Sequence, residues 1–64
     1  MGFAEARIKA GLSQREVAEA LKVTPAAVAL WDSKKTKPRA SLLPTIAKLY
    51  NTTVDELLAD EKIS

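Results

Sequence analysis

The sequence predicts an all-α domain of five short helices, and three observations carry that reading. Apolar residues recur at spacings of three and four instead of alternating along the chain. Helix-opening signals stand at Ser13-Gln14-Arg15-Glu16, at Thr24-Pro25 and at Thr53-Val54-Asp55-Glu56. Between Gln14 and Trp31 the apolar rhythm occurs twice, with a short joint between the two runs. Val17, Ala18 and Leu21 share one helical face, Val28 and Trp31 share another, and Val23 lies in the joint. Two amphipathic helices pressed together at a steep angle have this pattern, and Ala18 falls at the crossing, where a small side chain lets two backbones approach.

The elements follow in order. Residues 3–10 are rich in helix formers and end at Gly11, which can take the left-handed position that closes a helix. Ser13 and Glu16 form a capping box, so the second helix starts at Ser13 and runs to about residue 21. Thr24 caps the third helix. Pro25 is tolerated in its first turn because the missing N–H would be unpaired there anyway, and the helix extends to about residue 33. A loop carries the chain through Pro38. Pro44 is likewise acceptable only in a first turn, which predicts Ser41 as N-cap and a fourth helix over residues 42–50, closed by a left-handed Asn51. The box at Thr53 opens a fifth helix, from residue 54 to about residue 60. The predicted core comprises Ile8, Leu12, Val17, Leu21, Val23, Val28, Trp31, Leu43, Ile46, Tyr50, Val54, Leu57 and Leu58. Leu42, Leu49 and Ile63 find no place in it and are expected at a two-fold interface between copies.

At 64 residues this reads as one domain, with its core over residues 3–58, a short acidic C-terminal tail and marginal stability. Cysteine and histidine are absent, which excludes disulfides and removes the commonest metal ligands and general base. Asp55, Glu56, Asp60 and Glu61 gather on one short helix. There they complement the helix N-terminus and solvate the surface more simply than they would hold a metal. With no Gly-rich phosphate loop and no activated nucleophile, no enzyme activity, cofactor, metal or small-molecule ligand is expected. No apolar run approaches the roughly 20 residues needed to span a bilayer, and Glu5, Arg7 and Lys9 interrupt any signal-peptide core. A cytoplasmic protein without a membrane partner is the expectation.

The net charge of +2 is unevenly spread. Residues 1–48 hold nine basic side chains against four acidic ones, and residues 49–64 hold Lys62 against four carboxylates. A basic body suits an acidic polymer, and an acidic tail should point away from it.

The ordered set Arg7-x-x-x-Gly11-Leu12-Ser13-Gln14, Val17-Ala18-x-x-Leu21-x-Val23-Thr24, Val28-x-x-Trp31-Asp32, Pro38, Ile46-Ala47-x-x-Tyr50 and Val54-Asp55-Glu56-Leu57-Leu58 resembles the Cro/C1-type helix-turn-helix family of bacterial and phage regulators, also called the xenobiotic-response-element family. The likeness runs over residues 3–58, nearly the whole chain. It implies a lambda-repressor-like five-helix fold whose second and third helices form the helix-turn-helix, with duplex DNA as partner. Gln14 matches the family glutamine that grips a phosphate at a helix N-terminus, although a plain turn residue would also fit there. Thr24 caps the third helix and can offer its hydroxyl to the DNA backbone. Positions matching the family's base readers are Pro25, Ala26, Ala27, Ala29 and Leu30, with Val28 and Trp31 turned inward. Polar readers common in the family are replaced here by Pro-Ala-Ala and Ala-Leu. Direct readout should therefore be weak, leaning on thymine methyls, Thr24, Ser33 and DNA shape. Lys34, Lys35, Lys37 and Arg39 lie in the loop that follows the sugar-phosphate backbone in the family, and Lys9, Arg15 and Lys22 can extend this basic surface. Lys22 and Lys34 stand where family members often have glycine, so the backbone there is either strained or turns differently. Arg7 and Asp32 match an Arg–Glu pair that ties the first helix to the end of the third. The shorter Asp predicts a looser or water-mediated bridge. The register of Trp31 with Val28 places it in the core, not on a base.

The resemblance implies a homodimeric, sequence-specific regulator, a repressor or autoregulator on a palindromic operator, because one small module contacts too few bases alone. Two other readings use the same fold: a protein-interaction module binding through residues 25–30, and the antitoxin of a toxin–antitoxin pair. Few residues follow the fifth helix, so no ligand-sensing appendage is expected within this chain.

Overall fold

The computed structural model describes residues 2–59. Its elements are α1 (Phe3–Lys9), α2 (Gln14–Leu21), α3 (Pro25–Asp32), a 3₁₀ turn (Ala40–Leu42), α4 (Leu43–Leu49) and α5 (Val54–Leu57). No strand occurs among the described residues. The most extensive helix–helix contact joins α2 to α3, α1 lies against α3, and α4 is bracketed by the 3₁₀ turn and α5.

The caps explain the starts. Ser13 Oγ accepts from Glu16 N at 3.0 Å while Ser13 N donates to Glu16 Oε1 at 2.9 Å, so the α2 capping box is closed from both sides. Thr24 Oγ1 accepts from Ala27 N at 3.2 Å, ahead of Pro25 in the first turn of α3. Thr53 Oγ1 accepts from Glu56 N at 3.1 Å, forming the hydroxyl half of the last box.

One device ends four helices. Gly11, Lys22, Lys34 and Asn51 all have positive φ, and the residue after each donates its N–H back five positions. The bonds are Leu12 N to Arg7 O, Val23 N to Ala18 O, Lys35 N to Leu30 O and Thr52 N to Ala47 O, at 2.8–3.2 Å. This is the Schellman closure, which satisfies carbonyls that a helix end would otherwise leave open. The left-handed turns expected at Gly11 and Asn51 are present. At Lys22 and Lys34 the choice left open by the sequence is decided: the backbone is left-handed with a lysine on it.

The core consists of Phe3, Ala6, Val17, Ala18, Val28, Trp31, Ile46, Ala47, Tyr50 and Leu57. Leu12, Leu21, Val23, Leu43, Val54 and Leu58 pack around it half-buried. Three expectations need correction. Ile8 is 65 % exposed, because α1 turns Phe3, Ala6 and Ala10 inward and residue 8 lies about 140° from Phe3 at 100° per residue. Ser41 is not an N-cap. The chain is already helical through the 3₁₀ turn, Leu43 N bonds to Ala40 O, and α4 starts from Leu42 with no side-chain cap. Leu42 and Leu49 do have a place beside the core, half-buried against it. Ile63 and the predicted end of the fifth helix at residue 60 lie outside the described residues, and α5 itself closes at Leu57.

Candidate nucleic-acid interface

Asp32, the last residue of α3, fastens three helices together. Its Oδ2 accepts from Arg7 Nε of α1 at 3.0 Å and from Gln14 Nε2 of α2 at 2.9 Å. Arg7 Nη1 donates to Leu12 O at 2.7 Å, so the same guanidinium also secures the turn between α1 and α2. The bridge is direct, although aspartate is a methylene shorter than the glutamate usual in the resemblance. Both side chains are largely covered, at 14 % and 10 % exposure, so the attraction is screened less than at the surface. Gln14 is thus held by its carboxamide at the α2 N-terminus, a tie that sequence reasoning missed because it depends on how α2 and α3 cross.

Tyr50, the residue that caps the C-terminal end of α4, completes this cluster. It is 3 % exposed, and burial pushes its hydroxyl up to about 12, with the Asp32 charge adding to the rise and Arg7 opposing it. Neither Tyr50 OH nor Asp32 Oδ1 has a hydrogen-bond partner among the described residues.

Behind this anchor, α3 turns one side outward. Val28 and Trp31 are buried, whereas Pro25 and Ala26 are exposed and Leu30 is 40 % exposed. Ala29 is half-buried, and Ala27 is half-buried against the core, which leaves it less surface for a base than the sequence implied. Ser33 Oγ donates to Leu30 O at 3.1 Å. The chain then runs through Lys34, Lys35, Thr36 and Lys37, all exposed, to a buried Pro38 that pins the loop before exposed Arg39. No acidic residue interrupts residues 33–39. Arg15 is exposed on α2, 4.0 Å from Glu19 Oε2, a separation and exposure at which the pair contributes little. Gln14, Thr24, the outer positions of α3 and the cationic loop therefore belong to adjoining segments, with Asp32 tying α3 to Gln14. Among the described residues no group of His, Cys, Asp or Glu could hold a metal ion, and no helix is long and apolar enough to cross a membrane.

A sequence profile described as helix-turn-helix matches residues 3–57. This chain belongs to the helix-turn-helix family. It is of the Cro/C1 type that its motifs resemble, and its all-helical, five-helix structure is consistent with that fold. A relative from Enterococcus faecalis, the HTH-type transcriptional activator BcrR, is 38 % identical over 52 residues. The match covers 81 % of this chain and 26 % of the relative, so this helix-turn-helix chain spans about a quarter of that protein's length. No solved structure matches the chain.

Proposed function

We propose that this chain binds double-stranded DNA as a transcription regulator, with α3 in the major groove and the loop of residues 33–39 along the phosphate backbone. The observation that carries this reading is the outer surface of α3, in a helix-turn-helix chain, followed directly by four exposed cations with no acidic residue among them. Thr24 and Gln14 add hydroxyl and amide groups that can reach phosphates, with Arg15 beside them, and Ser33 closes the helix at the start of the loop.

The proposed functional unit is a homodimer on a palindromic site, since a single module of this size buries too little surface for useful specificity. The proposed seam is the surface that Leu42, at the end of the 3₁₀ turn, and Leu49 of α4 leave uncovered beside the core. Occupying an operator represses by occlusion, and repression in the cytoplasm is the proposed mode for the chain alone. The relative named an activator carries much more chain than the part matched here.

Fluorescence anisotropy on random-sequence duplex at 50 and 200 mM salt tests the reading. Four phosphate contacts per module predict a fall in affinity of about a hundredfold over that range. Lys35→Ala and Lys37→Ala should each weaken all duplexes alike and reduce the salt slope by about 1. Binding that is absent or insensitive to salt would favour a protein partner on α3 instead.

A further inference from the structure

We infer that α3 discriminates among DNA sequences by the C5-methyl groups of pyrimidines, so that 5-methylcytosine substitutes for thymine and uracil does not. The inference rests on the proposed DNA binding and deepens it. From Pro25 to Asp32 the side chains carry polar atoms at two residues only, Trp31 and Asp32. The Trp31 ring is buried, and the Asp32 carboxylate is occupied by Arg7 and Gln14 behind the helix. The hydroxyls that flank the helix sit at its two ends and hold its backbone, Thr24 Oγ1 accepting from Ala27 N and Ser33 Oγ donating to Leu30 O, and the O–H that Thr24 still has to donate goes to a phosphate in the proposed docking. What remains outward is hydrocarbon: Pro25, Ala26 and Leu30, with part of Ala29.

Such a surface cannot make the paired hydrogen bonds by which side chains usually identify guanine or adenine in the major groove. It also penalises them, because a base edge pressed against methyl groups loses its water and gains no partner. The apolar feature a base pair presents in that groove is the methyl on C5 of thymine. Cytosine methylated at C5 carries the same group on the same ring carbon. Ala26 and Leu30 are four residues apart on one helical side, about 6 Å along the axis, so they can address methyls no more than about two base-pair steps apart. The loop cations supply affinity without distinguishing bases, which leaves discrimination to this hydrocarbon.

Selection from random duplex pools tests the inference. Three pools are prepared: one with the four ordinary bases, one with uracil replacing thymine, and one with uracil replacing thymine and 5-methylcytosine replacing cytosine. The expected result is a defined motif from the first pool, its loss from the second, and its return in the third with 5-methylcytosine at the positions thymine held. Replacing one contacted thymine by uracil should weaken the selected duplex about fourfold, and a two-fold symmetric site tenfold or more. Leu30→Ala, at an exposed position that leaves the core intact, should shrink that ratio. The same motif recovered with equal affinity from the uracil pool would overturn the inference, as would binding to all pools with no motif, and the DNA-binding reading would survive both outcomes. No binding to any pool would overturn both.

Discussion

A single carboxylate oxygen, Asp32 Oδ2, accepts hydrogen bonds from both Arg7 and Gln14, so α1 and α2 are both fastened to the end of α3. Removing that oxygen leaves a mostly covered guanidinium without its counter-charge. Asp32→Ala should therefore lower the free energy of unfolding in urea by about 3 kcal/mol. A domain of this size has roughly 3–10 kcal/mol in total, so the variant will sit near the folding threshold. Tyr50 predicts the opposite behaviour. Its buried hydroxyl has no partner among the described residues, so Tyr50→Phe should leave stability unchanged or raise it by up to about 1 kcal/mol. Tyr50 also predicts a pH dependence. Folded Tyr50 keeps its proton to about 12, whereas an unfolded tyrosine loses it near 10.0, so between those values the folded state binds more protons. The stabilisation from that proton is complete below pH 10 and falls as pH rises through 12, by on the order of 2–3 kcal/mol at the limit. The difference between wild type and Tyr50→Phe in alkaline unfolding should show this slope; parallel curves would contradict it. At this scale the Arg7–Asp32 pairing was legible through the family resemblance of the motif set, though as a looser or water-mediated bridge where the structure has a direct one. The Gln14–Asp32 bond and the Asp32–Tyr50 proximity were not, since they arise from how separate helices cross.

At the scale of elements, helix ends decide the architecture. Four helices close by the same left-handed turn, yet the residue at the turn is glycine once, asparagine once and lysine twice. A left-handed lysine carries a backbone cost of about 1–2 kcal/mol, partly offset because glycine gains entropy in the unfolded chain. Lys22→Gly should therefore raise the unfolding free energy by about 0.5–1 kcal/mol in thermal or urea denaturation. A loss of stability would mean that the lysine side chain contributes more than its backbone costs. The helix starts at Ser13, Thr24 and Thr53 could be read because a capping hydroxyl acts within three residues of itself. The start of α4 could not: Ser41 has the right chemistry, but the Ala40–Leu42 turn brings the chain in already helical and makes a side-chain cap redundant. The misplacement of Ile8 has a similar origin. On a seven-residue helix the inward stripe is defined by few positions, and the long aliphatic side chain drew the register away from Phe3 and Ala6.

For the whole molecule, charge and topology act together. The basic excess of residues 1–48 includes the loop after α3, and the carboxylates Asp55 and Glu56 sit at the start of α5. That partition was legible in the sequence because it needs only the order of elements. The outward hydrocarbon of α3 was legible too, from its composition, while the Ser33–Leu30 and Gln14–Asp32 hydrogen bonds became clear only in the structure. The central claim is that α3 and the following loop face the duplex. Amide chemical shifts recorded while a short double-stranded oligonucleotide is added test it most directly. The account predicts perturbations at residues 13–15 and 24–39, fading as salt rises, with α5 and the outer side of α1 unchanged. Perturbations confined to α1 around Ile8 and to α5, with α3 silent, would contradict it.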